Sequence, residues 1–194
     1  MPRPAVLDST LMAEGRFLRL ENLRYEDRHG VVRQWETTLR QNGQNAAVVI
    51  GVLRPSDRLL LVRQFRPPLN TFALEFPAGL INAGEDPAQA ALRELKEETG
   101  YTGTVTASTG LCASSSGLTG ELLDLFMVDI NEDLPENRHV SQALDEGEDI
   151  QVLRVPLPSL QDTLRRHQQD GDRIDSRLAV WTMALAHQNC IKMH

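Results

Sequence analysis

The sequence has very little cysteine, with only Cys112 and Cys190 among its 194 residues. Two isolated cysteines provide no metal-ligand spacing and no disulfide framework. Such low cysteine usage is typical of a reducing compartment, and we therefore expect a cytoplasmic protein. Cys112 follows Leu111 in a predicted strand, where we expect it to pack in the core.

Long apolar runs are also absent, since no stretch approaches the roughly 18 apolar residues that indicate a membrane-spanning helix. The first residues, MPRPAVLDSTLMAEG, lack the apolar segment and the small-residue cleavage site of a secretory signal peptide. We therefore expect neither membrane association nor secretion.

Positive charge is in deficit, because 20 Lys and Arg residues face 27 Asp and Glu residues and the net charge is −7. This balance disfavours nucleic acid and anionic membrane surfaces as partners, since both carry dense negative charge. A small phosphate-bearing substrate would have to be held against the same field by metal ions and local arginines.

What the chain does contain is the composition of an ordinary globular domain, with 41% hydrophobic and 24% charged residues. Its length fits one domain, or one domain with an extension. Residues 15–41 alternate apolar and polar side chains around a turn at 27–30, which predicts an antiparallel β segment. Isolated hairpins are marginally stable, so we expect this N-terminal subdomain, residues 1–43, to pack on the body or on a partner subunit.

The remainder, residues 44–194, mixes strands and helices and predicts an α+β domain in which helices flank a sheet. A long acidic loop separates its last predicted strand from the others, and loops of this length are usually functional or disordered. We expect the final helix to pack through Leu178, Trp181, Met183 and Leu185. The predicted strands are 46–53, 59–65, 103–113, 121–130 and 150–157, the loop is 131–149, and the predicted helices are 87–99, 158–167 and 175–188.

The helix at 87–99 has clear start and stop signals. Asp86 can cap the free N–H groups, Pro87 suits the first turn, and Gly100 suits the C-terminal stop. Apolar residues recur at i, i+3, i+4 and i+7 and define one face. These residues are Ala88, Ala91, Leu92 and Leu95.

Three carboxylates, from Glu94, Glu97 and Glu98, cover an arc of about 100° beside this apolar face. Like charges at these spacings repel one another, and a divalent cation against the arc would remove the repulsion. Carboxylate oxygens without thiolates or imidazoles favour Mg²⁺ first and Mn²⁺ second. The alternative is an acidic helix face that is simply solvated.

The wider spacing decides between these interpretations. Seven defined positions with Gly and Glu usage near 7% coincide by chance on the order of once in 10⁸ starting positions. The pattern resembles the signature box of the Nudix hydrolase superfamily, which implies an α/β/α sandwich with a mixed sheet. The matching residues are Gly79, Glu85, Arg93, Glu94, Glu97, Glu98 and Gly100, followed by Tyr101.

Flanking segments resemble one branch of that superfamily, the ADP-ribose pyrophosphatases. The resemblance implies a homodimer with exchanged N-terminal segments and Mg²⁺-dependent hydrolysis of ADP-ribose, or a related ADP-sugar, to AMP and ribose 5-phosphate. Ser116 and Gly117 replace a Pro-Gly pair common in the family, which leaves the sugar preference open. The segments that carry the resemblance are Gln64–Pro68, Glu75–Leu80, 146–149, and Trp35–Thr37 with Arg40.

The resemblance also implies roles for individual residues in metal binding and catalysis. Glu94 and Glu98 are the expected metal ligands with the carbonyl of Ala78, and Glu97 and Glu148 are expected to complete the set. The general base is expected outside the box, at Glu148 with Glu146 in reserve, because carboxylates bound to cations are poor bases. Arg93 is expected to orient the carboxylates.

Substrate contacts follow from the same resemblance. Trp35 offers an indole face for adenine, although a lone tryptophan is more often a core residue. Arg66 and Arg40 suit phosphate oxygens, although Arg66 can also be an ordinary surface arginine. The remaining candidates are Glu36, Leu80, Gly117 and, from a partner subunit, Phe17.

Two other functions stay open at this point. The box is compatible with another nucleoside diphosphate sugar or an oxidised nucleotide as substrate. A non-catalytic sensor of ADP-ribose is also conceivable, but the complete set of box carboxylates argues against it.

Overall fold

The structure, a computed structural model, describes residues 3–191 and the side chains of residues 3–187. Two short 3₁₀ turns, Pro67–Leu69 and Leu157–Ser159, join some of its elements. The strands are β1 (Ala5–Glu14), β2 (Leu18–Glu26), β3 (Val32–Arg40), β4 (Ala46–Arg54), β5 (Arg58–Arg66), β6 (Thr71–Glu75), β7 (Ala78–Leu80), β8 (Thr104–Ala113), β9 (Leu122–Asn131), β10 (Ile150–Pro156) and β11 (Arg173–Ile174). The helices are α1 (Pro87–Thr99), α2 (Pro135–Arg138), α3 (Leu160–Gln169) and α4 (Ser176–Ile191).

The N-terminal segment forms a separate three-stranded antiparallel sheet in the order β1-β2-β3. Strands β2 and β3 and their turn confirm the predicted β segment. Strand β1 was not predicted, and every one of its residues is exposed, so no buried face reveals it in the sequence.

The second sheet has the order β11-β6-β5-β4-β9-β8, with β10 paired to β5 and β7 paired to β4. It is mixed, because β4 and β9 run parallel while β4 and β5 run antiparallel. One edge of β4 is shared: residues 46–48 pair with β7, and residues 51–53 pair with β5. This split places β7, and the box that begins on it, beside the start of the central strand.

Helices cover both faces of this sheet, which confirms the α/β/α sandwich. Residues 46–53 of β4 are all buried, because alternate side chains enter two different cores. Ala47 and Val49 pack with α1 residues such as Leu95. Val48 and Ile50 belong to the other core, with α3 and α4.

Helix α1 ends where its signals predicted. Asp86 Oδ1 accepts hydrogen bonds from the backbone N–H groups of Ala88 and Gln89. Gly100 has φ +79°, and a Cβ there would lie 2.7 Å from the backbone N of Ser141. Glycine is therefore required at this C-terminus by conformation and by space.

Two packing expectations were wrong. Cys112 lies on β8 but is exposed, because β8 is the edge strand of the sheet and Val105 is its one residue that is not exposed. Met183 is 70% exposed, whereas Leu178 is buried and Trp181 and Leu185 pack against the core.

Within residues 3–191, the helices are all too short or too polar to cross a membrane.

Candidate active site

The site is built where the last turns of α1 meet β7. The side chain of Glu98 is 6% exposed, and its Oε2 accepts a hydrogen bond from the backbone N–H of Ala78 at 3.1 Å. Gly79 leaves room for the neighbouring carboxylate, since a Cβ there would lie 1.9 Å from the carboxyl carbon of Glu94. The box therefore requires glycine at this position, because any side chain would clash with Glu94.

Arg93 connects the carboxylates to one another. Its Nε donates to Glu85 at 2.9 Å. Its Nη1 donates to Glu94 at 2.7 Å and to Glu97 at 2.9 Å. Its Nη2 donates to the carbonyl of Leu80 at 2.9 Å, which ties the helix to the end of β7.

The pKa values of these carboxyl groups diverge according to their surroundings. Burial raises the pKa of Glu98 to about 8, and the nearby charges of Glu94 and Glu148 add to the effect. Burial also raises the pKa of Glu94, although Arg93 opposes it. The hydrogen bonds from Arg93 lower the pKa of Glu85 to about 2. Arg93 therefore stabilises the charged form of Glu85, whereas burial disfavours the charged form of Glu98.

A cavity of about 430 Å³ opens in front of these carboxylates. It brings together Ala78, Leu80, Arg93, Glu94, Glu97, Glu98 and Glu148 from the predicted site. Its other lining residues were not predicted as site residues, and apart from Gly79 of the box they carry no motif signal of their own. They are Gln44, Gly79, Asn82, Ala143 and Asp145.

The loop that carries Glu148 is fastened to α1. The Gln142 side chain donates to the carbonyls of Glu98 and Ile150, at 2.6 and 2.9 Å. Glu148 accepts from the backbone N–H of Asp145 at 3.0 Å and lines the cavity. Glu146, two residues earlier, is exposed and outside the cavity lining.

The donor set suits a hard divalent cation. Carboxylates line the cavity, and burial disfavours the charged form of Glu98, which a bound cation would stabilise. Among the described side chains, no three His, Cys, Asp or Glu groups converge as a ready-made metal cage. Mg²⁺ does not need one, because it is usually held by one or two carboxylates, with waters and substrate phosphates completing its shell.

Other predicted substrate residues lie where the N-terminal sheet meets the 114–120 loop. Trp35, 49% exposed, donates from its indole Nε1 to the carbonyl of Gly117 at 3.2 Å. The backbone N–H of Thr38 donates to the carbonyl of Leu118 at 3.0 Å. These contacts join the N-terminal sheet to the loop between β8 and β9, and about half of the Trp35 surface is exposed.

The two predicted phosphate arginines are each paired with a carboxylate. Arg40 donates to Glu121 at 2.6 Å, and Arg66 donates to Glu75 at 2.8 Å. Glu36 is exposed on β3. Neither arginine lines the carboxylate cavity, and nor do Phe17, Trp35, Glu36 or Gly117.

Comparison with known proteins identifies the family. Residues 43–175 match the model of the NUDIX domain, which is more than half of the chain. The chain belongs to the Nudix family. The matched span begins after β3 and includes the whole α1 site.

Named Nudix relatives extend the similarity along the chain. An ADP-ribose pyrophosphatase of Saccharomyces cerevisiae is 36% identical over 171 residues, 84% of this chain and 74% of the relative. An ADP-sugar pyrophosphatase of Mus musculus is 35% identical over 195 aligned positions, 95% of this chain and 88% of the relative. The crystal structure of an ADP compounds hydrolase has the same fold, with a TM-score of 0.74 and 21% identity over 100% of this chain and 97% of its own.

Proposed function

We propose that this Nudix protein hydrolyses the pyrophosphate bond of ADP-ribose, or a related ADP-sugar, to AMP and a sugar phosphate, ribose 5-phosphate in the case of ADP-ribose. Relatives named ADP-ribose pyrophosphatase and ADP-sugar pyrophosphatase, each more than 30% identical, support this activity. The observation that carries it is the buried carboxylate of Glu98 against the Ala78 backbone beside an oxygen-lined cavity.

Nudix ADP-ribose pyrophosphatases generally need a divalent metal ion, and we propose Mg²⁺, with Mn²⁺ as the substitute. Glu94, Glu98 and the carbonyl of Ala78 would hold it, with Glu97 and Glu148 at the edge of the set. When bound, such an ion polarises a phosphoryl oxygen and makes a water more nucleophilic. Arg93 keeps the carboxylates oriented through its three ion pairs.

Glu148 is the proposed general base. Its carboxylate lines the cavity and its loop is tied to α1, so it can accept a proton from a water that attacks phosphorus. Glu146 is the reserve candidate, and its position outside the cavity lining gives it less support.

We propose that substrate lies between the cavity and the junction of the two sheets. The open indole face of Trp35 would stack on adenine, with Glu36 beside it on β3. Arg40 and Arg66 would contact phosphates, because guanidinium groups held by a carboxylate remain charged and oriented. Leu80 and Gly117 border this path at the cavity and at the 114–120 loop, respectively.

A homodimer is proposed because the N-terminal sheet exposes apolar side chains that water disfavours. Val6, Leu7, Leu11 and Met12 on β1 are all exposed, and Phe17, which follows that strand, is 68% exposed. A partner subunit would cover these side chains, and Phe17 of each subunit would then contribute to the substrate site of the other. Full activity from a species that sediments as a monomer at micromolar concentration would contradict this. A cytoplasmic location also stays a proposal and rests on the low cysteine content.

The activity is tested by incubating the protein with Mg²⁺ and a panel of nucleotides, then measuring release of the corresponding nucleoside monophosphate, which is AMP for ADP-ribose. The panel holds ADP-ribose, other ADP-sugars, a uridine diphosphate sugar and an oxidised nucleoside triphosphate. Hydrolysis of ADP-ribose at the highest kcat/KM supports the proposal. A higher kcat/KM for the uridine diphosphate sugar or the oxidised nucleotide would mean that this compound, and not ADP-ribose, is the preferred substrate. Tight binding of ADP-ribose without any product would indicate a sensor.

A further inference from the structure

The proposed phosphate contacts depend on carboxylates that are better buried than the arginines they hold. Arg66 and Arg40 are 42% and 40% exposed at the side chain, while their partners Glu75 and Glu121 are 16% and 18% exposed. A buried carboxylate that loses its counter-charge is destabilised. Whatever stabilises these two carboxylates therefore influences the position of both arginines.

A third arginine, Arg177 on the first turn of α4, lies beside this arrangement. Its Nε donates to Asp175 Oδ1 at 2.8 Å, and its Nη2 donates to the other oxygen of the same carboxylate. The Asp175 backbone N–H donates to the carbonyl of Leu74 at 3.0 Å, one residue before Glu75. Arg177 is thus anchored directly next to the strand that carries Glu75.

Arg177 lines a small cavity together with Glu75 and with Ala78 of the proposed metal set. This cavity, of about 30 Å³, is also lined by Asp175 and Arg66. The pKa of Arg177 is raised chiefly by its hydrogen bond to Asp175, and the charges of Glu75 and Glu121 raise it further. Arg177 therefore lies in the field of both carboxylates that hold the proposed phosphate arginines.

Anchoring α4 does not account for this side chain. Asp175 already caps the helix, since its Oδ1 accepts from the backbone N–H groups of Arg177 and Leu178. Those bonds require only the backbone of Arg177. The guanidinium group instead balances charge in a set of three arginines and three carboxylates, namely Arg40, Arg66 and Arg177 with Glu75, Glu121 and Asp175.

We propose that Arg177 is a positioning residue for the substrate phosphates, acting on Glu75 and through it on Arg66. The inference rests on the proposed function, in which Arg66 contacts the pyrophosphate. Without Arg177, the local charge becomes −1, which repels phosphate. Glu75 also loses a neighbouring cation and no longer holds Arg66 in one orientation.

The test is a double-mutant cycle on substrate binding, measured by calorimetry with ADP-ribose in buffer that contains EDTA, so that nothing turns over. We expect Arg177→Gln and Arg66→Gln each to raise Kd about tenfold, while the double variant is only about twofold weaker than Arg66→Gln. Arg173→Gln, which removes an exposed arginine four residues earlier on β11, should leave Kd within about twofold. Arg177→Lys should fall between wild type and Arg177→Gln, because lysine keeps the charge but not the bidentate geometry.

The outcomes separate the two proposals. Additive effects of Arg177→Gln and Arg66→Gln, or an unchanged Kd in Arg177→Gln, would overturn the positioning role while ADP-ribose binding by the wild type stands. A wild type that neither binds ADP-ribose in EDTA nor releases AMP from it with Mg²⁺ present would overturn the proposed function and this inference with it. If the wild type binds ADP-ribose only with Mg²⁺, the same cycle is measured as KM, and additive effects again overturn the positioning role. If Arg177→Gln fails to fold, the cycle is run with Arg177→Lys, where additivity again overturns the role. With Mg²⁺ present, a rise in KM at nearly constant kcat distinguishes positioning of substrate from damage to the catalytic carboxylates.

Discussion

The carboxylate of Glu98 accepts a hydrogen bond from the backbone N–H of Ala78 at 3.1 Å, across the gap between helix α1 and strand β7. The two groups are 20 residues apart in sequence, and Gly79, next to Ala78, leaves the space that the carboxylate of Glu94 occupies beside them. The bond orients a buried carboxylate without supplying a full counter-charge. A site of this kind is stable with a cation and costly without one.

Replacing Glu98 by glutamine tests this relationship directly. Glutamine retains the shape and can accept the Ala78 hydrogen bond, but it carries no charge for a metal. We expect Glu98→Gln to reduce kcat with ADP-ribose by about 10³-fold or more, because metal binding and phosphoryl activation are lost together. Initial rates of AMP release across a Mg²⁺ titration measure the effect.

Glu97→Gln is the matched control, since Glu97 lies on the same helix and is 43% exposed at the side chain. We expect a smaller loss of activity from it, about tenfold. Near-wild-type rates in Glu98→Gln, at any Mg²⁺ concentration, would show that Glu98 is not a metal ligand.

The raised pKa of Glu98 predicts how the metal-free protein responds to pH. The folded-state pKa, about 8, is above the usual value of 4.5, so the folded protein holds a proton that the unfolded chain releases in this range. The free energy of unfolding should therefore fall as pH rises from about 4.5 to about 8, and the loss is complete above the folded pKa. Denaturant titrations in EDTA at several pH values measure this slope.

Glu98→Gln should flatten that slope, because the titrating group is gone. At pH 8 the variant should be more stable than the metal-free wild type by about 1–3 kcal/mol, since it no longer buries a charge. Added Mg²⁺ should stabilise the wild type and not the variant. A slope equally steep in both proteins would mean that another group is responsible.

Arg93 is expected to matter for stability as well as for activity. Arg93→Ala removes the partner of Glu85, Glu94 and Glu97 at once. We expect a loss of about 2 kcal/mol in the free energy of unfolding, less than for a fully buried pair because the cluster is partly open to water. Chemical denaturation measures it, and Arg93→Lys should recover part of the loss. A change below about 0.5 kcal/mol in the free energy of unfolding would show that these ion pairs do not stabilise the fold.

The parts of the fold that follow local rules could be predicted from the sequence. Helix α1 begins after Asp86 and ends before Gly100 because capping and left-handed backbone are properties of single residues. Strand β4 could be predicted from its continuous apolar run, since a central strand covered on both faces needs no alternation. The carboxylates of the box converge because helix periodicity places them on one arc.

The parts that depend on distant contacts could not be predicted. Glu121 pairs with Arg40 across 81 residues of sequence, and no local sequence pattern near either residue predicts this ion pair. Strand β1 has no buried side, so its strand character arises from pairing with β2 rather than from a hydrophobic pattern. Asp145 enters the cavity because its loop folds back on α1, which is a property of the tertiary structure.

Glu148 and Glu146 can be separated by a paired substitution. Both residues are exposed in the same loop, but Glu148 lines the cavity and accepts a hydrogen bond from the Asp145 backbone, while Glu146 is outside the cavity lining. We expect Glu148→Gln to lower kcat by about 10²–10⁴-fold, the usual contribution of a general base. Glu146→Gln should change it by less than about threefold, as expected of a solvated surface charge. A larger loss of kcat in Glu146→Gln than in Glu148→Gln, measured in steady-state assays, would identify Glu146 as the general base.

Trp35 provides the last test, because two contacts of one side chain can be separated. Its indole N–H donates to the carbonyl of Gly117 at 3.2 Å, and its ring face is open. We expect Trp35→Ala to raise KM for ADP-ribose about tenfold or more, in line with about 1–3 kcal/mol for base–aromatic stacking, at nearly unchanged kcat.

Trp35→Phe keeps an aromatic face and removes only the N–H donor. We expect its KM to rise about two- to threefold, because the hydrogen bond to Gly117 orients the ring but the stacking surface remains. Equal effects of the phenylalanine and alanine variants would assign the role to the Gly117 contact, and an unchanged KM in both would place adenine elsewhere. Both variants should unfold within about 0.5 kcal/mol of the wild type, since the side chain is half-exposed and its loss opens no cavity.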